Sequence, residues 1–129
     1  MPDTSLFLNL FKNKEAKSFA AGESIFKAGD AGDSMYVVIE GEVDILDGST
    51  TLETAGPGAI FGELALIDDA PRSATVVAKT DTKVVPVDRW RFEFMVTETP
   101  FFAVAVMKVL ADRLRRTSAR VRLSEKATV

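Results

Sequence analysis

Residues 61–75 have the sequence Phe-Gly-Glu-Leu-Ala-Leu-Ile-Asp-Asp-Ala-Pro-Arg-Ser-Ala-Thr, and this stretch decides how the rest of the chain is interpreted. It begins with a glycine followed by an acid, Glu63, and continues through a short apolar run. Its one basic residue, Arg72, stands near the end, directly before the small residues of a following strand. A Gly-Glu pair or a Pro-Arg turn is common by itself in a surface loop, but their combination within fifteen positions is much more specific.

The side chains of this stretch suit an anion and a sugar. Residues 63–66 can form one helical turn, and the unpaired N–H groups at a helix start favour an anion. The guanidinium of Arg72 can bind two phosphate oxygens at once, while the amides of Ser73 and Ala74 and the Ser73 hydroxyl add donors. An ionised Glu63 offers only acceptors, so it suits a sugar hydroxyl. One acceptor beside several donors predicts a ribose-phosphate site.

The composition argues against catalysis. The 129 residues contain no cysteine, which excludes disulfides, thiolate chemistry, zinc ribbons and iron–sulfur sites. They also contain no histidine, which removes the commonest general base and the commonest transition-metal ligand. We therefore expect a protein that is not an enzyme and that holds neither metal nor cofactor.

Length and hydropathy predict one cytoplasmic domain. A chain of 129 residues with 47% apolar residues suffices for a single core. No apolar run approaches the roughly 18 residues of a membrane span, and the first residues lack the order of a secretory signal. Charge is uneven, because residues 1–87 carry 7 basic and 14 acidic side chains (−7) and residues 88–129 carry 9 and 5 (+4). The basic C-terminal part is either a solvated helix face or a contact for an acidic partner.

The pattern of apolar residues and turns predicts a mainly β, α+β fold: an antiparallel β-roll or jelly roll with an N-terminal helix, a short helix in the 61–75 stretch and two C-terminal helices. Asp47-Gly48 is the strongest hairpin signal. Asp88 caps a helix to about Val96, and a longer helix starts near Pro100. The remaining elements are a helix at 5–11 and strands at 17–20, 23–26, 35–39, 43–46, 50–54, 74–78 and 83–87.

We therefore predict one domain over residues 1–129. It comprises an N-terminal helical part at 1–15, the β-roll at 16–87 with its binding segment at 58–75, and the C-terminal helices at 88–129. The last helix, to about residue 123, carries a heptad-like series whose members are Ala103, Met107, Leu110, Leu114, Thr117 and Val121. This series fits either a helix lying on its own β-roll or a parallel coiled coil between two protomers.

Four segments resemble those of a known family. Residues 61–66 and 71–75 are similar to the phosphate-binding cassette of cyclic nucleotide-binding domains, the family of bacterial catabolite activator protein, protein kinase A regulatory subunits and cyclic nucleotide-gated channels. Residues 23–30 and 35–43 resemble the early strands and glycine turns of the same family, so the likeness covers nearly the whole chain.

The resemblance implies roles for the two charged residues. Glu63 would hold the ribose 2′-hydroxyl and Arg72 the cyclic phosphate. Non-binding relatives typically lack one of the two, whereas this sequence keeps both. The cassette residues placed around the sugar and phosphate are Gly62, Glu63, Leu64, Ala65, Arg72, Ser73 and Ala74.

The resemblance also bears on the purine. Members that prefer guanine often carry Thr after the cassette arginine, where this chain has Ser73. Thr117 and Ser118 match an adjacent Thr-Ser pair that meets the adenine across the protomer boundary in catabolite activator protein. The favoured ligand is therefore cyclic AMP, with cyclic GMP as the alternative.

The resemblance thus implies a regulatory module that transmits ligand binding through its C-terminal helices. The expected partners are a cyclic nucleotide, a second copy through the C-terminal helix, and an effector protein or the remainder of a channel or regulator. No helix-turn-helix follows the long helix, so we expect no sequence-specific DNA binding by these residues. The competing hypothesis is a ligand-free domain of the same fold that serves protein–protein interaction.

Overall fold

The computed structural model describes the backbone of residues 5–128 and the side chains of residues 6–116. Eight short strands lie between an N-terminal helix and two C-terminal helices, and a further helix interrupts the strands. In chain order the elements are α1 Ser5–Phe11, β1 Lys17–Phe19, β2 Ser24–Phe26, β3 Ser34–Glu40, β4 Val43–Asp47, β5 Thr50–Ala55, β6 Ile60–Phe61, α2 Leu64–Asp68, β7 Thr75–Ala78, β8 Thr82–Asp88, α3 Arg89–Glu98 and α4 Pro100–Thr128.

The strands form two antiparallel four-stranded sheets. One has the order β1-β8-β3-β6 and the other the order β2-β7-β4-β5. Strands β3 and β8 pair along most of their length, from Ser34 opposite Asp88 to Glu40 opposite Lys83. The hairpin predicted at Asp47-Gly48 joins β4 to β5, and Gly48 has the positive φ of 60° that such a turn requires. The predicted mainly β jelly roll with helices is confirmed.

Strand β3 buries both of its faces because two cores lie on either side of it. Met35 and Val37 face a core shared with the helices, while Tyr36 and Val38 face the space between the two sheets. This follows from the period of two residues along a strand. The core shared with the helices contains Phe102 of α4, whose ring meets the rings of Phe7, Phe11 and Phe92 edge-on.

The sequence analysis missed one strand. Strand β6 contains only Ile60 and Phe61, which pair with Val37 and Tyr36 of β3. Both side chains are buried, and two residues are too few to show an alternating pattern. This strand holds the start of the cassette against the β-roll.

The C-terminal helices begin where they were predicted. The Asp88 carboxylate accepts a hydrogen bond from the Arg91 amide at 2.8 Å and caps α3. Pro100 is the first residue of α4, a position where its missing N–H carries no cost.

The predicted heptad series differs from the observed faces of α4. Leu110 packs against the core of its own β-roll, which is the first of the two predicted arrangements, and Ala103 is half-buried. Thr117 and Val121 lie outside the described side chains. The solvent-facing stripe contains Val104, Met107, Ala111 and Leu114. The stripe contains Val104 and Ala111 where the heptad series has Ala103 and Leu110. The contact with the core, and not the heptad pattern, decides which residues of α4 face solvent.

Among residues 6–116, no single helix is long and apolar enough to cross a membrane. The pair formed by α3 and residues 100–116 passes a test of length and composition, but it is bent by 113°. The described side chains also bring together no group of three or more acidic residues that could hold a metal ion.

Candidate functional site

A cavity of about 230 Å³ lies between the cassette, strand β5 and helix α4. Its wall combines apolar side chains with two acids and three arginines. The lining residues used below are Phe26, Glu53, Gly62, Glu63, Arg72, Arg113 and Arg116. Leu64, Ala65, Ser73 and Ala74 also line it, so the structure brings together all seven cassette residues predicted from the sequence.

Arg72 is held by its backbone and by its side chain. Its amide donates to the Asp30 carbonyl and its carbonyl accepts from the Gly29 amide, both at 2.8 Å. Its guanidinium donates to the carbonyl of Gly62 at 2.9 Å and to that of Ser34 at 2.7 Å. The two side-chain hydrogen bonds thereby fix the orientation of the guanidinium.

The guanidinium of Arg72 also rests on an aromatic ring and fits against two glycines. Its Cζ atom lies 4.0 Å from the centroid of the Phe26 ring, which is a cation–π distance. A Cβ atom on Gly62 would lie 2.7 Å from Nη1 of Arg72, and one on Gly32 would lie 2.6 Å from its Cζ. Gly62 also has a φ of 82°, so that position favours glycine on two counts.

Glu63 stands at the N-cap of α2, but its side chain does not cap the helix. The residue is only 3% exposed, and its Oε1 accepts a hydrogen bond from Nη1 of Arg113 at 2.7 Å. A buried carboxylate needs such a partner, because an unpaired buried charge is costly. The acid predicted to hold a sugar hydroxyl is therefore linked directly to the long helix.

Arg113 joins three parts of the β-roll to α4. Beyond Glu63, its Nε donates to Oε1 of Glu53 at 3.2 Å and its Nη2 donates to the carbonyl of Ile60. Burial alone would lower the pKa of the Arg113 guanidinium, but the charges of Glu63 and Glu53 outweigh this effect and raise the pKa above its usual value. The guanidinium thus stays charged at every physiological pH.

Arg116 and Asp112 extend this cluster along α4. Nη2 of Arg116 lies 3.3 Å from Oε1 of Glu53 and 2.8 Å from Oδ2 of Asp112, four residues earlier on the same helix. The sequence analysis assigned no role to Glu53, Arg113 or Arg116. One signal was available for Arg113: it lies one helical turn before Thr117, which the family resemblance places at the ligand.

Two buried polar atoms have no hydrogen-bond partner among the described residues, and both belong to the predicted pair. They are Oε2 of Glu63, an acceptor, and Nε of Arg72, a donor. Buried polar groups in proteins are almost always paired, since an unpaired one costs about 1–3 kcal/mol. Both residues line the cavity, and a ligand with a hydroxyl and an anionic group offers the donor and the acceptor that these two atoms lack.

The cassette is also tied to α3. Arg89, the first residue of α3, donates from Nη1 to the Leu66 carbonyl at 3.0 Å and contacts Oδ1 of Asp69 at 2.5 Å with Nη2. Leu66 belongs to α2. Asp69 is the C-cap residue of α2, and its backbone is left-handed with a φ of 53°. A movement of the cassette helix would therefore act on the start of α3.

Thr117 and Ser118, predicted to contact the purine, lie outside the residues whose side chains the structure describes. Their backbone belongs to α4, directly after Arg116. Their predicted contact with the ligand stays a prediction.

A small β-roll whose cassette holds a buried glutamate, Glu63, and a buried arginine, Arg72, defines a ligand-binding domain of regulatory proteins. Comparison with known proteins identifies the family of this domain. The family model for the cyclic nucleotide-binding domain matches residues 16–99. The chain therefore belongs to the cyclic nucleotide-binding domain family.

Individual relatives agree with this assignment. The CRP-like cAMP-activated global transcriptional regulator of Mycobacterium tuberculosis is 33% identical over 121 residues, which cover 90% of this chain and 54% of the relative. The chain thus spans about half the length of this curated relative.

Two solved structures are similar in fold. Catabolite activator protein of Thermus thermophilus superposes with a TM-score of 0.78 at 30% identity, covering 97% of this chain and 60% of the other. A structure described as "Sp-2Cl-cAMPS bound to PKAR CBD2" gives a TM-score of 0.69 at 26% identity, with coverages of 91% and 88%.

Proposed function

We propose that this chain is a non-catalytic regulatory module that binds a cyclic nucleotide in the cavity between the cassette and α4, with cyclic AMP favoured over cyclic GMP. The observation that carries the proposal is that Glu63 and Arg72 line one cavity and that each has a buried polar atom, Oε2 and Nε, without a hydrogen-bond partner among the described residues. No other cofactor is required for this function.

In the proposed complex, the ribose 2′-hydroxyl donates to Glu63 and the cyclic phosphate accepts from Arg72. Ser73 and Ala74 follow Arg72 in the chain and line the same wall, so they can donate to the phosphate as well. Gly62, Leu64 and Ala65 surround the sugar. The fixed orientation of Arg72 supports this arrangement, because a donor that is already in place loses little entropy on binding.

The preference for cyclic AMP rests on two kinds of support. The M. tuberculosis relative is described as cAMP-activated, and one similar structure binds Sp-2Cl-cAMPS. Within this chain, the support is the Thr117-Ser118 pair and the presence of Ser73 after the cassette arginine.

Binding would be transmitted through α3 and α4. Arg113 contacts Glu63 from α4, and Arg89 connects α2 to α3, so both C-terminal helices touch the segment that receives the ligand. A ligand shifts such an equilibrium only by the difference in its affinity for the two states. We propose that residues 1–129 act as one unit in this response, with residues 88–129 carrying its output.

The proposed output surface is the exposed stripe of α4. Met107 is 62% exposed and Leu114 is 67% exposed, and such apolar side chains in one line suit a parallel homodimer. An effector protein, or the remainder of a channel or regulator, is the further partner. The expected cytoplasmic location and the expected absence of sequence-specific DNA binding stay predictions.

Isothermal titration of the nucleotide-free protein with cyclic AMP and cyclic GMP tests the proposal. We expect binding of both, with the tighter constant for cyclic AMP. Absence of heat with either nucleotide would favour the competing function, a ligand-free domain for protein–protein contacts.

The same titration on the Arg72→Ala variant tests the phosphate site specifically. Each charge-assisted hydrogen bond lost to the phosphate is worth roughly 1.5–3 kcal/mol, so affinity should fall at least tenfold. Because Arg72 also donates to the carbonyls of Gly62 and Ser34, a parallel unfolding curve must establish that the variant is folded. A folded variant with wild-type affinity would refute the phosphate site.

A further inference from the structure

The carboxylate of Glu53 lies in the binding cavity, although it belongs to strand β5 and not to the cassette. Its side chain is 19% exposed and is approached by two arginines of α4. Both Arg113 and Arg116 contact the same oxygen, Oε1, at 3.2 and 3.3 Å. An ionised carboxylate carries acceptor sites on both oxygens, so Glu53 retains acceptor capacity on Oε2.

Three charged groups follow one another along the cavity wall. Arg72 donates to the carbonyl of Gly62, the residue directly before Glu63. Glu63 and Glu53 are neighbours, because Arg113 contacts the first through Nη1 and the second through Nε of one guanidinium. The order along the wall is therefore Arg72, Glu63 and Glu53.

A 3′,5′-cyclic nucleotide has the same order of groups. Its phosphate joins C3′ to C5′, its free hydroxyl is on C2′, and its base is on C1′, which is bonded to C2′. If Arg72 meets the phosphate and Glu63 the 2′-hydroxyl, the next position along the wall faces the base. The group linked next to Glu63 is Glu53, with Arg116 3.3 Å from its Oε1.

We propose that Glu53 and Arg116 determine base specificity, with Glu53 accepting a hydrogen bond from the exocyclic amino group of the purine and Arg116 donating to a ring acceptor beside it. The inference rests on the proposed function. Adenine presents an amino donor next to ring-nitrogen acceptors, which matches one carboxylate beside one guanidinium. A base with a carbonyl oxygen in place of the amino group would place one hydrogen-bond acceptor opposite another, the carboxylate of Glu53.

A purely structural role for Glu53 makes a different prediction. If the carboxylate served only to anchor Arg113 and Arg116, its removal would loosen α4 and weaken all cyclic nucleotides alike. A base-reading role changes the ratio of affinities between nucleotides. The ratio is therefore the quantity to measure.

The experiment titrates wild type and Glu53→Gln with cyclic AMP and cyclic IMP, which differs from cyclic AMP by a carbonyl in place of the amino group. Wild type should prefer cyclic AMP by about tenfold or more, the effect of one hydrogen bond to a charged group. In Glu53→Gln the preference should fall to less than about threefold, because the amide can rotate and donate to the carbonyl of cyclic IMP.

Two controls accompany the measurement. Glu40→Gln changes an acid that pairs with Lys83 at the surface, and it should leave the ratio at its wild-type value. The penalty for 2′-deoxy cyclic AMP should be equal in wild type and Glu53→Gln, because Glu63 is intact in both. A cyclic GMP titration extends the test to guanine, since cyclic IMP differs from cyclic GMP only by the 2-amino group.

The outcomes separate the two proposals. If no cyclic nucleotide binds the wild type, the proposed function fails and this inference fails with it. If nucleotides bind but wild type does not discriminate against cyclic IMP, or Glu53→Gln leaves the ratio unchanged, only the role of Glu53 is overturned.

Discussion

Arg113 of α4 holds the carboxylate of Glu63, with 2.7 Å between Nη1 and Oε1. The acid that is proposed to receive the ribose is therefore the same acid that fixes the long helix to the β-roll. Only Oε1 of Glu63 accepts this hydrogen bond, and Oε2 has no partner among the described residues. Ligand binding and helix position consequently depend on one shared side chain.

Arg113→Ala should destabilise the domain by about 3 kcal/mol, because it leaves the carboxylate of Glu63, whose side chain is only 4% exposed, without its charged partner. Urea unfolding followed by circular dichroism measures the change. Arg115, on the same helix with a side chain 74% exposed, provides the matched control, and Arg115→Ala should shift stability by no more than about 0.5 kcal/mol. Equal effects of the two substitutions would contradict the importance of the Arg113–Glu63 contact.

Arg89→Ala should uncouple α3 from the cassette with a modest loss of stability, about 1–2 kcal/mol. The Arg89–Asp69 pair is largely exposed and contributes less than about 1 kcal/mol, but the substitution also removes the hydrogen bond to the Leu66 carbonyl. The single tryptophan, Trp90, is the next residue and stacks on Phe94, which makes it a natural fluorescence reporter. Wild type should change its Trp90 emission on addition of cyclic AMP, and Arg89→Ala should lose at least about half of that change.

The control for this measurement is Arg91→Ala, which alters an exposed arginine on the same helix. That variant should keep the full fluorescence change. If Arg89→Ala also keeps it at saturating nucleotide, the contact between α3 and the cassette does not carry the signal.

Local sequence was sufficient for one part of the site and insufficient for the other. Glu63 and Arg72 could be predicted because both belong to one short segment with a recognisable pattern. Glu53 could not, and the contacts of Arg113 could not either, although its place one helical turn before Thr117 was a signal for that residue. Arg113 lies 50 residues from Glu63 and 60 residues from Glu53 along the chain. A contact between a strand and a distant helix depends on the packed fold, which no local pattern encodes.

The faces of α4 illustrate the same limit. The heptad pattern correctly predicted a continuous helix with Met107 and Leu114 on one side, and both are exposed. It left open whether Leu110 lies on the β-roll or between two protomers, because the sequence contains apolar residues for two different contacts and does not mark which of them the β-roll takes. The wide apolar surface that includes Val106 and Val109 was correctly expected to pack on the β-roll.

Leu114→Glu tests the proposed dimer more cleanly than a substitution in the core-facing side of α4. Wild type should sediment as a dimer at micromolar concentrations, and a charge on the exposed stripe should yield a monomer that keeps the circular dichroism spectrum of the folded domain. Leu110→Glu is the contrasting variant, because it places a charge against the core and should destabilise the fold itself. A wild type that sediments as a monomer would reject the dimer directly.

Gly32→Ala should weaken cyclic nucleotide binding, although Gly32 is not itself a residue predicted to contact the ligand. A Cβ atom at this position would lie 2.6 Å from Cζ and Nε of Arg72 and 2.9 Å from Cβ of Ala65, so the guanidinium must move. Arg72 is held by the carbonyls of Gly62 and Ser34, and a forced shift breaks the geometry of a two-point phosphate contact.

We expect Gly32→Ala to lower affinity for cyclic AMP about tenfold or more in isothermal titration, with the domain still folded. Gly56→Ala is the matched control, because a Cβ there meets nothing within 4 Å and the backbone needs no positive φ. Equal affinities for the two variants would mean that Arg72 can adopt a second orientation and still bind phosphate. The orientation seen in the structure would then not be the one on which binding depends.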